Sequence, residues 1–125
     1  MSLEIEIHAE PNEGKRISLA GSLDTDTAPQ LQEKVDQEID STVHMVILDL
    51  KRLHFLSSAG LRVIFKTKKQ MDEHHGKFML LNLQPQVRKV FDIIKALDGM
   101  NVFKSQEEMD EYLTAMQNKV LDGDA

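Results

Sequence analysis

Two adjacent serines, Ser57 and Ser58, occupy the position in the sequence that best suits a functional site. They follow the segment 49–56 and stand where a helical pattern of apolar residues begins. In open sheets with parallel strands, ligands and partners gather beyond the carboxyl ends of the strands, where helix N-termini present unpaired N–H groups. From local chemistry alone, the favoured interpretation is that one serine hydroxyl caps the helix, which contributes about 1 kcal/mol.

Two aspartates could also carry chemistry. Asp24 follows an apolar alternation and precedes Thr25 to Thr27, so it either meets a basic residue of a partner or forms the turn before a helix; both interpretations stay open. Asp49 ends the predicted central strand, and no partnered acid or base is visible for it. We therefore predict a structural role for Asp49, in which its carboxylate accepts hydrogen bonds from loop N–H groups.

Basic side chains recur at helical spacing after the serines. Arg62, Lys66 and Lys69 fall at i, i+4 and i+7, so they form a stripe on one side of the predicted helix. A solvated face is the default interpretation of such a stripe. Alternatively, the stripe joins a partner surface beside Ser58, because Arg62 lies one helical turn beyond it.

Metal and catalytic motifs are missing from the sequence. Histidines occur at positions 8, 44, 54, 74 and 75, but no carboxylate completes a recognisable ligand spacing around the later four. There is no Gly-rich phosphate loop, no Gly-x-Ser-x-Gly elbow and no His-Glu-x-x-His helix. We therefore predict no metal, no cofactor and no enzymatic activity.

The hydrophobic periodicity predicts nine elements in the order β-β-α-β-α-β-α-β-α. The first five are a hairpin over 3–19, a helix over 28–40 capped by the Thr27 hydroxyl, a strand over 43–50, and a helix from Ser58 that stops before Gly76. A strand over 78–83 follows, and then a helix from Pro85 whose apolar stripe is Val87, Val90, Phe91, Ile94 and Leu97. The last two are a strand at 102–103 and a helix after the capping box Ser105 to Glu108, with an apolar stripe of Met109, Tyr112, Leu113, Met116 and Val120. Such alternation predicts an α/β fold with a mixed, largely parallel sheet covered by helices.

Size and composition fit one small domain. The 125 residues leave no room for a second core, so we expect a single domain over 1–125 with a frayed tail over 121–125. The chain has no cysteine, a net charge of −6, no signal-like N-terminus and no apolar run long enough to span a bilayer. We expect a cytoplasmic protein that binds no nucleic acid and does not insert into a membrane.

Three motifs carry a resemblance to a known family. They are Phe55-Leu-Ser-Ser-Ala-Gly-Leu61, Ile17-Ser-Leu-Ala-Gly-Ser-Leu-Asp24 and Pro85-Gln-Val-Arg-Lys-Val-Phe-Asp-Ile-Ile94. In this order they resemble the signature of STAS domains, and the likeness spans nearly the whole chain. The resemblance implies a STAS-like fold and, in its bacterial branch, the function of an anti-sigma factor antagonist.

In that branch, a kinase that is also the anti-sigma factor phosphorylates the antagonist on a serine that corresponds here to Ser58. The resemblance implies that the unmodified protein binds this serine kinase and so releases the kinase's target. A metal-dependent serine phosphatase restores the binding form. The residues implied to contact the partner are Asp24, Ser57, Ser58, Ala59, Gly60 and Arg62.

Ser57 departs from the family pattern, because an aspartate usually precedes the phosphoacceptor. Ser57 is therefore an alternative phosphorylation site to Ser58. The family also implies an alternative function, that of a regulatory subunit of a membrane transporter that is never phosphorylated. In that case Ser58 would only cap the helix.

Overall fold

The computed structural model describes residues 2–93 and 101–121, and within these ranges it shows the predicted order of elements. The elements are β1 (Leu3–Glu10), β2 (Gly14–Leu23), α1 (Ala28–Glu38), β3 (Met45–Leu56), α2 (Ser58–Glu73), β4 (Lys77–Leu81), α3 (Pro85–Ile93), β5 (Asn101–Phe103) and α4 (Gln106–Leu121). The predicted core positions Ile94 and Leu97, the side chains of Met116 and Val120, and the tail 122–125 lie outside the described residues.

The five strands form one sheet whose spatial order, β1-β2-β3-β4-β5, follows the chain. β1 and β2 are antiparallel and form the predicted hairpin, whose turn places Asn12 and Glu13 at positive φ. The remaining neighbours, β2–β3, β3–β4 and β4–β5, are parallel. The predicted α/β fold with a mixed, largely parallel sheet is confirmed.

The connections place three helices on one face of the sheet. Crossovers between parallel strands are right-handed, and here each moves to the next strand in the same direction, so α1, α2 and α3 share a face. The main apolar cluster agrees, since it joins Leu48 and Leu80 of the sheet to Leu31, Ile64 and Val87 of these helices. Burial of this face is the main stabilising contribution to the fold.

The opposite face is covered at one end by α4. Ile47 of β3, Met79 and Leu81 of β4, Phe103 of β5 and Met109 of α4 form a second, smaller apolar cluster. The Ser105 hydroxyl accepts a hydrogen bond from the Glu108 N–H at 3.2 Å, so the predicted cap of α4 is confirmed. None of the described helices has both the length and the apolar composition needed to cross a bilayer.

β3 is longer than the sequence predicts. The expected strand over 43–50 followed by a loop is wrong, because β3 runs from Met45 to Leu56. β4 pairs with β3 only as far as Asp49, whereas β2 accompanies it to its end, where Leu23 pairs with Leu56. The last residues of β3 therefore have one strand neighbour, which explains how exposed polar side chains are accommodated there.

Candidate functional site

The ends of β2 and β3 bring two loops of the sequence together. Leu23 and Leu56 are the last paired residues of these parallel strands. The N–H of Ser57 donates a hydrogen bond to the Leu23 carbonyl at 2.9 Å, so Asp24 and Ser57 leave the sheet side by side. The Asp24 loop and the start of α2 therefore meet at the carboxyl edge of the sheet.

Ser57 is the N-cap of α2. Its backbone is extended, with φ −98° and ψ 172°, and its Oγ accepts a hydrogen bond from the Gly60 N–H at 3.3 Å. Its carbonyl accepts the Leu61 N–H at 3.0 Å. Serine and aspartate are both strong N-caps, so Ser57 can perform the capping task that an aspartate would perform at this position.

Ser58 has a different environment from Ser57. It is the first residue of α2 and is exposed, whereas Ser57 is partly buried. Across residues 2–93 and 101–121, no hydrogen bond involves the Ser58 hydroxyl. The two serines thus separate into one hydroxyl that holds the helix start and one that faces solvent at a helix N-terminus.

Gly60 allows the first turn of α2 to lie against the strand ends. The residue is buried, and a Cβ built on it would stand 2.5 Å from the Leu23 Cγ and 2.9 Å from the Leu56 Cδ1. Either distance is well inside van der Waals contact. The side chain of Ala59 is partly buried against the main cluster. Gly60 therefore has a packing role that allows the start of α2 to lie against Leu23 and Leu56.

Asp24 organises the neighbouring turn. Its Oδ1 accepts hydrogen bonds from the N–H groups of Asp26 at 2.9 Å and Thr27 at 3.0 Å. The hydrogen bond from the Thr27 N–H is the main reason that the pKa of Asp24 lies below its ordinary value, with a further lowering from the Asp26 N–H. The turn-forming role proposed for Asp24 from the sequence is thus present in the structure.

Thr27 does not cap α1 as predicted. Its hydroxyl makes no capping bond to the helix; instead it donates to the Ser22 carbonyl at 2.8 Å and accepts the Asp24 N–H at 2.8 Å. Pro29 has no N–H and the Gln30 N–H donates to the Thr27 carbonyl at 3.0 Å, so the start of α1 does not need the threonine hydroxyl, which closes the loop instead. The expected 28–40 helix ends at Glu38.

Asp49 lies inside β3 and not at its end, so its predicted place in the strand is wrong. Its carboxylate does accept a backbone N–H, although the donor is Lys51 of β3 and not the predicted loop residue. Oδ1 accepts hydrogen bonds from the Lys51 N–H at 3.1 Å and from the Asn82 side chain at 3.3 Å, and Oδ2 lies 3.6 Å from the Arg16 guanidinium. The carboxylate is therefore engaged on both oxygens and ties β2, β3 and the loop after β4 together.

The basic stripe of α2 is exposed. Arg62, Lys66 and Lys69 all lie on the solvent side of the helix, and within the described residues none of them forms an ion pair. Lys68, by contrast, donates to Asp72 at 2.7 Å one turn further along. Ser58 and the stripe therefore share one exposed face of α2.

Phe55 was not singled out by sequence reasoning. It is the one large hydrophobic side chain that is markedly exposed among the described residues, at 45%. It lies opposite Ser22 near the end of β3, just before the two serines. The sequence did offer one indication of a binding role for Phe55, because it lies in the motif that contains the two serines. Aromatic residues at surfaces often anchor protein partners.

The histidines do not assemble a metal site in the described part of the chain. No group of three or more histidine or acidic side chains there could hold a metal ion. The Nε2 atom of His44 instead lies 2.9 Å from a carboxylate oxygen of Glu13, and both side chains are exposed. What the site offers chemically is an exposed hydroxyl, an aromatic ring, a fixed carboxylate and a row of cations.

Comparison with known proteins gives this arrangement a family. The model of the STAS domain family matches residues 5–109. The Bordetella bronchiseptica protein BtrV, named as an anti-sigma factor antagonist, is 38% identical over 89 residues, which are 71% of this chain and 77% of that protein.

Solved structures agree with the sequence match. The Bacillus cell fate determinant SpoIIAA in its phosphorylated form superposes with a TM-score of 0.69 at 25% identity, covering 87% of this chain and 99% of that one. A sulfate transporter family protein from Wolinella succinogenes gives 0.72 at 13% identity, with 89% and 93% covered, which shows the shared fold alone. With the family match spanning most of its length, this chain belongs to the STAS domain family.

Proposed function

We propose that this chain is an anti-sigma factor antagonist, a binding protein and not an enzyme, that is switched by phosphorylation of Ser58. In its unmodified form it binds an anti-sigma factor that is also a serine kinase, and phosphorylation releases it. The observation that carries the proposal is that the two serines have different roles. Ser57 caps α2, whereas Ser58 is exposed and its hydroxyl makes no hydrogen bond within the described residues. The regulatory name of BtrV supports it.

Ser58 suits a phosphoacceptor better than Ser57. A kinase must reach the hydroxyl, and of the two serines Ser58 is the exposed one. Phosphorylation of Ser57 would bring a bulky phosphate into the partly buried site where its Oγ accepts the Gly60 N–H. A phosphorylated form is known for SpoIIAA, to which this chain is 25% identical.

The fold tolerates a phosphate on Ser58. The first turn of α2 contains no acidic residue, so no carboxylate in it repels the new charge. A phosphoserine carries close to two negative charges at pH 7, and the dipole and free N–H groups of a helix N-terminus favour such charge. The domain therefore stays folded while its surface changes.

The interface does not tolerate the same phosphate. A strongly hydrated dianion at the centre of a protein contact must lose water or meet acidic groups of the partner, and both are costly. Phe55 supplies an apolar anchor close to this point. The Asp24 Oδ1 is used by its own turn, and within the described residues Oδ2 makes no hydrogen bond, so it is available to a basic group of the partner.

A reversible switch of this kind also needs a partner that removes the phosphate. A metal-dependent serine phosphatase removes the phosphate, and the chain itself needs no cofactor. Such exchange takes place in the cytoplasm, without nucleic acid or membrane insertion by this chain. Arg62 extends the contact along α2, whereas Ala59 and Gly60 contribute by holding the helix start in place.

The test is phosphorylation with mapping of the modified residue. Purified wild-type chain and its Ser57→Ala and Ser58→Ala variants are incubated with candidate anti-sigma serine kinases and ATP, and the phosphate is located by fragmentation. We expect phosphate on Ser58 in the wild type and in Ser57→Ala, and none in Ser58→Ala. Incorporation into Ser58→Ala at Ser57 would overturn the site, and a wild-type chain that neither binds nor is modified by any such kinase would overturn the function.

A further inference from the structure

The exposed face of α2 carries an uninterrupted row of positive charge, which we call the basic face and define as Arg62, Lys66 and Lys69. At about 3.6 residues per turn, these residues and Ser58 fall within a sector of about 80°. With a rise of about 1.5 Å per residue, Lys69 lies about 17 Å from Ser58 along the helix. The row thus starts one turn after the hydroxyl and continues for two further turns.

The basic face forms no ion pair within the described residues, and the one acidic residue of α2 on the same side is Glu73, four residues after Lys69. The acidic residues of α2 are Asp72 and Glu73, in its last turn, and Asp72 is paired with Lys68. In the described parts of the chain no ion pair involves the basic face, although the whole chain has a net charge of −6. The chain has 15 basic and 21 acidic residues, so a local excess of positive charge on this helix runs against the charge balance of the whole chain.

Resting on the proposed function, we propose that the basic face binds an acidic surface of the partner kinase. Two observations support this occupant: the face is continuous with the exposed Ser58, and its charge is complementary only to an anionic surface. The strongly acidic balance of the rest of the chain opposes the phosphate backbone of a nucleic acid, so a protein surface is the favoured partner.

This assignment explains how one modification can affect a contact that extends along the helix. A phosphate on Ser58 lies at the end of the basic face, one turn from Arg62, in the i, i+4 arrangement in which an anion precedes a cation. It therefore draws Arg62 away from the partner and adds negative charge that repels the partner's acidic groups. Both effects weaken the same contact.

The test is charge reversal with a control of equal net charge. Lys66→Glu and Lys69→Glu change the basic face, and Lys34→Glu makes the same change on the exposed side of α1. Affinity of each unphosphorylated chain for the kinase that modifies Ser58 is measured by calorimetry at low and high salt. Since an exposed charge pair contributes modestly, we expect up to about fivefold weaker binding for each basic-face variant, which is about 1 kcal/mol, and less than about twofold for Lys34→Glu.

The salt dependence provides a second readout. The loss in the basic-face variants should shrink at high ionic strength, because salt screens exposed charges. Thermal melts establish that each variant is folded, and Lys66→Gln, which removes charge without reversing it, should give a smaller loss than Lys66→Glu.

Four outcomes would overturn the inference. One is equal binding by the wild type and both basic-face variants to a kinase that still modifies Ser58, which leaves the proposed function standing. Another is an equal loss of affinity in Lys34→Glu, which would show that the effect comes from the net charge of the chain and not from the basic face. The third is tight binding of duplex DNA that the basic-face variants lose, which marks a nucleic acid site. A wild-type chain that binds no kinase overturns the proposed function together with this inference.

Discussion

Replacement of Ser57 with alanine separates the two serines by their effect on stability. The substitution removes the Oγ that accepts the Gly60 N–H at 3.3 Å and leaves that donor without its partner at a partly buried helix start. Loss of a serine N-cap costs about 0.5 to 2 kcal/mol, and the length of this bond places the expected loss near the middle, at about 1 kcal/mol. In a domain of 125 residues this corresponds to a fall in Tm of about 3 to 6 °C.

Two companion variants make the result specific. Ser57→Asp should retain wild-type stability or exceed it by a few tenths of a kcal/mol, because aspartate is also a strong N-cap and places negative charge at the helix N-terminus. Ser58→Ala should stay within about 0.5 kcal/mol of the wild type, since the Ser58 hydroxyl is exposed and makes no hydrogen bond within the described residues.

Urea and thermal unfolding followed by circular dichroism measure all three variants. The reasoning is refuted if Ser57→Ala is as stable as the wild type, or if Ser58→Ala loses as much as Ser57→Ala. In either case Ser57 would not be the serine that caps α2, and the two serines could not be divided into one that caps the helix and one that accepts phosphate.

Three further predictions concern neighbouring residues. Gly60→Ala should lower the free energy of unfolding by about 1 to 3 kcal/mol, because its Cβ would stand 2.5 Å from Leu23 Cγ; a chain of unchanged Cm in urea would contradict this. The stability difference between wild type and Asp24→Asn should be present at neutral pH and shrink as the pH falls below 3.8, because the folded pKa of Asp24 is lowered and the benefit of the ionised form is lost as pH falls through it; a difference in Tm that stays constant from neutral to strongly acid pH would argue against it. Phe55→Ala should weaken kinase binding about tenfold or more and leave Tm nearly unchanged, since the ring is 45% exposed; calorimetry and a thermal melt check both, and unaffected binding would exclude the ring as an anchor.

Hydrophobic periodicity was sufficient to predict the architecture. The alternation of Leu3, Ile5 and Ile7 predicted β1, and the continuous apolar run around Ile47 predicted a strand buried on both faces. The start of α2 at Ser58 was also predicted correctly. These signals are reliable because each element must bury an apolar face against the same sheet.

The errors arose where tertiary pairing overrides local polarity. Lys51, Arg52 and His54 made the end of β3 resemble a loop. Pairing of Arg52, Leu53, Phe55 and Leu56 with β2 nevertheless keeps this segment in the strand. Thr27 carried a plausible capping pattern, but its hydroxyl bonds to the Ser22 carbonyl and the Asp24 N–H and makes no bond to the helix. Neither choice can be made from spacing alone, because each depends on which strand or side chain lies beside the residue in the fold.

The central claim is that a phosphate on Ser58 weakens binding without unfolding the domain. The most direct measurement is the Kd of one chain for its anti-sigma kinase before and after stoichiometric phosphorylation, with a thermal melt of both forms. We expect phosphorylation to weaken binding at least about a hundredfold, given the cost of desolvating a charge at an interface, with the Tm unchanged or higher. Equal affinity of the two forms, or a phosphorylated chain that is unfolded, would contradict the account.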